Sequence, residues 1–323
     1  MNVASDRAQR LARQPLREVN PPTGFFAGTV ANWKAIIACH ELLGELVKRE
    51  IKSRYKDSGL GVVWSFIRPL VQLMVYYLVM GQFLGSSRAV PQFAVFIFTG
   101  LTLWGLFNEI VTQGTQSILS NSGIIKKVNV SREIFPLACV GSALFNFVFQ
   151  FVLLIAGAVI LPRIAGNRPM LNGGIPWGRS LLYLPAAILA TVVWALALAL
   201  IMSALNVYLR DVQFIVEVFL MLGFWFSPII YQFHTVSIRL SHLVLEIYLA
   251  NPVTVVILAF QRSIWGNPYW PAYETQAAST PPGELYPGHL ALRLIVVIVV
   301  GFVVLFIGQR LFHRMQRNFA QEI

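Results

Sequence analysis

Charged residues are scarce in this chain. Only 12% of the 323 residues are Asp, Glu, Lys or Arg, whereas 56% are hydrophobic and the mean hydropathy is +0.65. Soluble domains carry about 25% charged residues, so the composition excludes an ordinary soluble protein and predicts a polytopic membrane protein. Cysteine is scarce too. Cys39 and Cys139 are both expected on the cytoplasmic side, where a disulfide is not expected.

Signatures of catalysis are also missing. No Gly-Lys-Ser/Thr sequence occurs, so the chain lacks a P-loop for ATP. The five histidines and two cysteines are not spaced as metal ligands, and neither HExxH nor GxSxG occurs. The sequence therefore predicts no catalytic residue and no metal or cofactor bound by this chain. A membrane-embedded glycan-modifying enzyme stays open as an alternative, although it requires acidic or histidine clusters near a membrane surface.

Six segments are long and apolar enough to cross a bilayer, which needs about 20 residues per helix. They are Leu60–Leu84, Phe93–Thr112, Ile134–Leu161, Leu181–Leu205, Val212–Phe233 and Leu292–Ile307. Six spans place both termini on one side, and 17 of the 25 Lys and Arg residues, including every lysine, lie on that side. The positive-inside rule then predicts cytoplasmic termini in a plasma-membrane protein. The net charge of +11 serves this topology, so no nucleic-acid partner is predicted.

The chain before the first span divides into two parts. Residues 1–32 are predicted to be a basic cytoplasmic tail, and residues 33–58 an amphipathic interface helix that lies on anionic headgroups. Residues 59–323 form a single six-span domain. A solvated cytoplasmic helix is the alternative for residues 33–58. The candidate lipid-head residues are Lys48, Arg49, Lys52, Arg54, Lys56 and Arg68.

Three charges fall inside predicted spans: Arg68, Glu109 and Glu217. Charges at membrane depth are costly unless they are paired or hydrated. Either Arg68 pairs with one of the glutamates, or all three side chains extend to the membrane interface, or the three form a polar inner mouth for a charged substrate head.

Aromatic residues make up 13% of the chain and concentrate in the second and fifth spans. They are either packing and interfacial residues or the lining of a pore, where ring faces suit sugars. The candidate channel aromatics are Phe96, Trp104, Phe107, Phe219, Phe224, Trp225, Phe226 and Tyr231. Pro228 is expected to kink the fifth span.

Two short non-spanning elements complete the prediction. Residues 117–128 are expected to form a cytoplasmic helix whose exposed isoleucines either dock on a partner groove or rest on headgroups. Residues 236–266 are expected to form two short helices at the outer face, one of them capped by Asn251 with Pro252 in its first turn.

Four segments together resemble the membrane subunits of polysaccharide ABC exporters of the O-antigen and teichoic-acid type, the ABC-2 class. They are RYKDSGLGVVWSFIRPL (54–70), GIIKKVNVSREIFPL (123–137), NVYLRDV (206–212) with FWFSPIIY (224–231), and NPVTVVILAFQRSIWG (251–266). The chain departs from the family at Arg68, where glutamine is frequent, and at Ser131, where proline is frequent.

The resemblance implies a homodimer joined to two copies of a separate ATPase subunit, which binds ATP and Mg. It makes residues 117–128 the coupling helix, with Ser117, Ile118, Leu119, Ile124, Ile125, Lys126 and Lys127 as contact residues. The outer gate would include Asn251, Pro252, Phe260 and Arg262. The implied cargo is a polyprenyl-diphosphate-linked polysaccharide, and the overall look is nearest to the exporter of lipid-linked galactan. An ABC-2 exporter of a drug or smaller lipid remains the first alternative.

Overall fold

The computed structural model describes residues 39–56, 58–59, 61–90, 92–126, 131–164, 179–266, 285–316 and 319–322. The predicted basic tail, the start of the predicted interface helix, Lys127, and outer-loop residues 267–284 lie outside these ranges. The chain divides into two compact units, Met1–Glu41 and Leu42–Ile323. Only residues 39–41 of the first unit are described, so the fold below is that of the second.

The described residues form helices and no strand, which confirms the all-α prediction. Two short 3₁₀ turns (Gly61–Val63 and Arg179–Leu182) precede α2 and α7, and two π-helical stretches (Tyr77–Phe83 and Arg262–Gly266) follow α2 and α11. The α-helices are α1 His40–Tyr55, α2 Trp64–Tyr76, α3 Ser86–Ala89, α4 Phe93–Ser120, α5 Ser122–Ile125, α6 Ile134–Ile164, α7 Tyr183–Tyr208, α8 Val212–Phe226, α9 Phe233–Ser237, α10 His242–Ala250, α11 Pro252–Gln261, α12 Leu290–Met315 and α13 Phe319–Glu322.

Within the described ranges, five helices are long and apolar enough to cross a membrane: Gly61–Phe83, Phe93–Ser120, Ile134–Leu161, Ser180–Tyr208 and Leu290–Met315. The bent pair α10 and α11 brings the number to six if it is counted as one span. The predicted fifth span is shorter than expected, since α8 has only 15 residues.

The expected proline kink in the fifth span is wrong, because the helix ends there. Ser227 has φ −103° and ψ 147°, which is extended backbone. A residue before proline is driven out of the helical region by the proline ring, so Pro228 stops α8 at Phe226. The Ser227 hydroxyl donates to the Gly223 carbonyl at 2.7 Å and closes the helix end.

Helix α4 is the centre of the bundle. It packs against α6 and α7, and α12 packs on the other side of α7. In its most apolar window 78% of the residues are buried, against 0% for the window of the first span, Gly61–Phe83. Close approach to α7 needs a small residue, because a Cβ on Gly114 would overlap the Ala199 Cβ.

The hydroxyls buried in α4 are satisfied by the helix itself. Thr99, Thr102 and Thr115 each donate to the carbonyl four residues earlier, at 2.7 Å. In contrast, the Asn206 amide of α7 donates across the interface to the Thr115 carbonyl at 3.2 Å. These three hydroxyls of α4 therefore need no partner helix, whereas the Asn206 amide donates to α4.

Helices α10 and α11 meet at an angle of 87°. The Asn251 side chain accepts from the Val253 amide at 3.0 Å, with Pro252 in the first turn, so the predicted cap is confirmed. Residues 254–261 of α11 are all buried, where they contact α4, α7 and α12. The second of the two short outer helices therefore enters the bundle.

Candidate functional site

Two adjoining cavities lie along the open face of α2. The first, here called the polar groove, encloses about 1230 Å³ between α2, α4, α6 and the end of α1. The second, the aromatic groove, encloses about 1110 Å³ between α2, α4 and α8. Both volumes include space open to solvent. Gln72, Leu101 and Gly105 line both cavities, so the two form one continuous surface.

An ion pair joins the end of α1 to the middle of α4. The Arg54 guanidinium donates to the Glu109 carboxylate and to the Ser142 hydroxyl at 3.0 Å. Glu109 also accepts from Asn146 at 2.6 Å and from Gln113 at 3.1 Å. The side chains of Arg54 and Glu109 are 25% and 17% exposed, so the pair is largely withdrawn from water. A charge pair in this setting needs such additional hydrogen bonds to offset its desolvation.

Three further contacts hold α1 against the bundle. The Tyr55 hydroxyl donates to Asn146 at 2.8 Å, and Arg49 donates to the Asn121 side chain. A Cβ on Gly141 of α6 would stand 2.7 Å from Val47, so α1 and α6 touch where α6 has no side chain. Helix α1 is therefore fixed to α4 and α6 through its C-terminal half.

The predicted lipid-head residues fall into two groups. Arg49 and Arg54 donate to protein acceptors and so help attach α1 to the bundle; their contact with headgroups stays a prediction. Lys48, Lys52 and Lys56 are exposed on α1. Their predicted contact with headgroups stays a prediction.

The intramembrane charges do not pair as the sequence suggested. Glu109 pairs with Arg54, not with Arg68. Arg68 is exposed and lines the polar groove, with its guanidinium 5.9 Å from the centroid of Trp64. Glu217 is exposed and lines the aromatic groove. Within the part of the chain that the structure describes, neither Arg68 nor Glu217 has an ion-pair partner, so each groove contains one uncompensated charge.

The candidate aromatics divide between groove and core. Trp104, Phe224 and Trp225 line the aromatic groove together with Tyr76. Their rings are in contact: Phe224 lies 5.8 Å from Tyr76, 5.9 Å from Trp104 and 5.8 Å from Trp225. Tyr76 lies in the first span and was not predicted, because the aromatic residues concentrate in the second and fifth spans.

The other candidate aromatics lie outside the groove lining. Phe96 is 2% exposed and packs on Trp265, and Phe107 is 6% exposed beside a separate apolar cavity of about 250 Å³. Their assignment to a channel is corrected, because α4 is buried on most sides. Phe219 and Phe226 are exposed on α8. Tyr231 is half-buried, and its hydroxyl donates to the Trp225 carbonyl at 3.0 Å.

The predicted coupling helix is not one helix. Helix α4 continues to Ser120, and after a break at Asn121 the four-residue α5 ends at Ile125. The break forms because the Asn121 amide donates to the Ser117 carbonyl at 2.8 Å, a side-chain bond that competes with helix continuation.

The exposure of this segment also differs from the prediction. Ser117, Ile118 and Ile125 are 1%, 0% and 8% exposed, so these isoleucines are not bare. Leu119 and Ile124 are partly exposed and Lys126 is exposed. The docking assignment therefore narrows to these three residues of the described segment.

Of the predicted outer-gate residues, Phe260 is buried in the bundle, whereas Asn251, Pro252 and Arg262 are partly exposed. Phe260 is 0% exposed. The Arg262 guanidinium lies 5.1 Å from the ring of Tyr183 and 5.7 Å from that of Tyr286. Nearby, Arg293 of α12 makes two hydrogen bonds, at 2.8 and 2.9 Å, to the Glu246 carboxylate of α10. This bidentate pair, which sequence analysis missed, fastens α10 to α12.

Comparison with known proteins decides the family. The model of the ABC-2 type transporter family matches residues 41–265. The chain belongs to this family. The match spans α1 to α11 and so contains both grooves. The resemblance inferred from the four sequence segments is confirmed, and the chain is a multi-pass membrane protein.

The sequence identity between this ABC-2 chain and individual relatives is low. The chain is 27% identical over 283 residues to the O-antigen export system permease protein RfbA of Myxococcus xanthus, covering 87% of this chain and 95% of that protein. It is 26% identical over 281 residues to RfbA of Klebsiella pneumoniae, with 87% and 94% coverage. A shorter match, 27% over 138 residues, joins 40% of the chain to 51% of the capsule polysaccharide export inner-membrane protein CtrC of Neisseria meningitidis.

Proposed function

We propose that this chain is the membrane subunit of an ATP-driven exporter that moves a polyprenyl-diphosphate-linked polysaccharide from the cytoplasmic to the outer side of the plasma membrane. The names of its relatives, which are O-antigen and capsule polysaccharide export proteins, support the cargo class. Galactan is the first polymer to test.

The observation that carries the proposal is the continuity of the two grooves. Arg68 supplies an uncompensated positive charge at the polar end, which suits a diphosphate. Trp225 and Tyr76 supply accessible ring faces at the other end, which suit sugar rings, and the buried Trp104 packs behind them. Phosphate recognition by a charge and sugar recognition by aromatic faces are the two contacts that one lipid-linked glycan requires.

Two partners follow from this proposal. A second copy of the chain covers the open face of α2 and α8, where Val71, Met74, Phe219 and Trp225 are more than half exposed. Two copies of a separate ATPase subunit bind ATP and Mg and dock on the segment around Leu119, Ile124 and Lys126. The chain has no P-loop sequence of its own, so the energy of export comes from that partner.

Export by the reconstituted complex tests the proposal. The chain and its partner ATPase are placed in proteoliposomes with polyprenyl-diphosphate-linked galactan on the ATP-accessible side, and glycan appearing on the other side is measured. Arg68→Gln should raise the KM for the cargo at least about tenfold, because a charge-assisted hydrogen bond is worth about 1.5–3 kcal/mol. Arg314→Gln, which removes an exposed charge at the end of α12, should match the wild type.

The outcomes separate the proposal from its alternative. No ATP-dependent glycan movement by the wild type would reject it, and transport of a drug or short lipid in its place would favour a smaller cargo. An unchanged KM in Arg68→Gln would remove the role of Arg68 in headgroup recognition.

A further inference from the structure

The C-terminal end of the chain packs back onto the helical bundle. Phe319 of α13 is 0% exposed, and its ring lies 5.5 Å from Phe312 and 6.1 Å from Tyr208. The Tyr208 hydroxyl donates to the Met315 carbonyl at 2.8 Å. These contacts fix α13 and the end of α12 against the end of α7.

The same C-terminal end holds the segment 131–133. The Arg132 guanidinium donates to the Gln316 carbonyl and lies 5.7 Å from the centroid of the Phe319 ring. Glu133 is 2% exposed and accepts from the Gln309 side chain at 3.0 Å. Arg132 and Glu133 therefore both bind the C-terminal part of the chain.

Segment 131–133 connects the coupling region around α5 to helix α6. It follows the segment that contains α5 and leads directly into α6, where the amides of Ile134 and Phe135 donate to the carbonyls of Ser131 and Arg132 at 3.3 Å. A displacement of α5 that reaches α6 along the chain must pass through 131–133. Through their contacts with the C-terminal part of the chain, Arg132 and Glu133 can transmit that displacement to α7 and α12.

We propose that Arg132, Gln309 and Phe319 form a C-terminal clamp that positions the coupling segment, so that a partner-driven movement of α5 is passed to α6, α7 and α12 together. The inference rests on the proposed function in one respect: the force on α5 comes from a docked ATPase. Arg132 and Phe319 are positioning residues, and they touch neither groove. Arg132 is partly buried, and this burial lowers the pKa of its guanidinium. The same withdrawal from water strengthens the cation–π contact between Arg132 and Phe319.

The clamp is tested first without any cargo. Hydrogen–deuterium exchange is measured on the full chain with its ATPase partner in nanodiscs, for wild type, Arg132→Gln and Phe319→Leu. The leucine keeps an apolar side chain in the buried position but removes the ring. Amides of residues 131–137 should exchange about fivefold faster in both variants, the change expected when a cation–π contact of about 1 kcal/mol is lost. Amides of α11 should not change.

The second measurement is the amount of cargo moved per ATP hydrolysed. This ratio should fall about fivefold in Arg132→Gln and in Phe319→Leu. The double variant should fall no further, because both changes remove the same contact between the Arg132 guanidinium and the Phe319 ring. Co-purification of the ATPase should stay at the wild-type level. The matched control is Arg314→Gln, which removes the same charge from an exposed position one residue before the end of α12.

Each outcome supports or overturns the clamp. The clamp would be overturned if Arg314→Gln lowered the cargo moved per ATP as much as the clamp variants do. It would also be overturned if neither clamp variant changed this ratio, or if the losses multiplied in the double variant. A misfolded Phe319→Leu leaves Arg132→Gln to decide. If the wild type moves no glycan, the proposed function fails, while the exchange rates still decide whether the clamp positions this segment.

Discussion

The ion pair between Arg54 and Glu109 gives the sharpest prediction about stability. Glu109→Ala leaves the Arg54 guanidinium with Ser142 alone, and it deprives Gln113 and Asn146 of their shared acceptor. Removing one partner of a buried ion pair costs about 3–5 kcal/mol. Since Arg54 is 25% exposed and water can reach it in part, we expect a loss of about 2–4 kcal/mol.

Thermal unfolding of the purified chain in nanodiscs measures this loss. A change of 1 kcal/mol shifts the Tm of a chain of this size by about 2–3 °C, so Glu109→Ala should lower the Tm by about 4–12 °C. Glu109→Gln keeps one oxygen acceptor and should lose about half as much. The exposed pair Lys48 and Glu45 on the same α1 helix provides the control. Their side chains are 68% and 69% exposed, and Glu45→Gln should leave the Tm unchanged.

A double-mutant cycle isolates the pair itself. Arg54→Ala combined with Glu109→Ala removes both charges at once, so the double variant should lose about 1.5–3 kcal/mol less than the sum of the two single losses. Strict additivity would show that Arg54 and Glu109 are not coupled, and the account of how α1 is attached would then be wrong.

Three further predictions follow from the packing. Gly105→Phe should block glycan export, because Gly105 lines both grooves at their junction. The control is Gly157→Phe on α6, which should export normally. A Cβ at Gly157 would have only one atom within 4 Å, at 3.9 Å. Gly141→Ala should cost about 1–3 kcal/mol because its Cβ would stand 2.7 Å from Val47; Gly44→Ala, with nothing within 4 Å, should instead raise the Tm. Glu246→Gln should loosen α10 from α12, seen as faster hydrogen exchange in α10; an unchanged rate would show that the ion pair does not hold it.

Sequence reasoning worked where the signal is local. The cap formed by Asn251 and Pro252 depends on adjacent residues, and the structure confirms it. The starts of α4, α6 and α8 coincide with the predicted starts at Phe93, Ile134 and Val212, because each is marked by a change from polar or turn residues to an apolar run.

The predictions that failed depend on tertiary contacts, which join residues far apart in the chain. Glu109 and Arg54 are 55 residues apart, and periodicity shows which face a residue occupies but not its partner on another helix. Phe96 and Phe107 could not be separated from Trp104 by sequence, because a helix buried on most sides has apolar residues all round. The break at Asn121 depends on one side-chain bond, which no average propensity would reveal.

The self-contained hydroxyls of α4 bear on biogenesis. The ribosome delivers α4 to the translocon before α6 and α7 have been made, and Thr99, Thr102 and Thr115 enter lipid with their hydrogen bonds already formed. Asn206, which bonds to the carbonyl of Thr115, arrives later, when its acceptor is already in the bilayer. For these four residues the order of synthesis matches the order in which the polar groups find partners. Helix α4, once it is in the bilayer, then presents the carbonyl on which α7 docks.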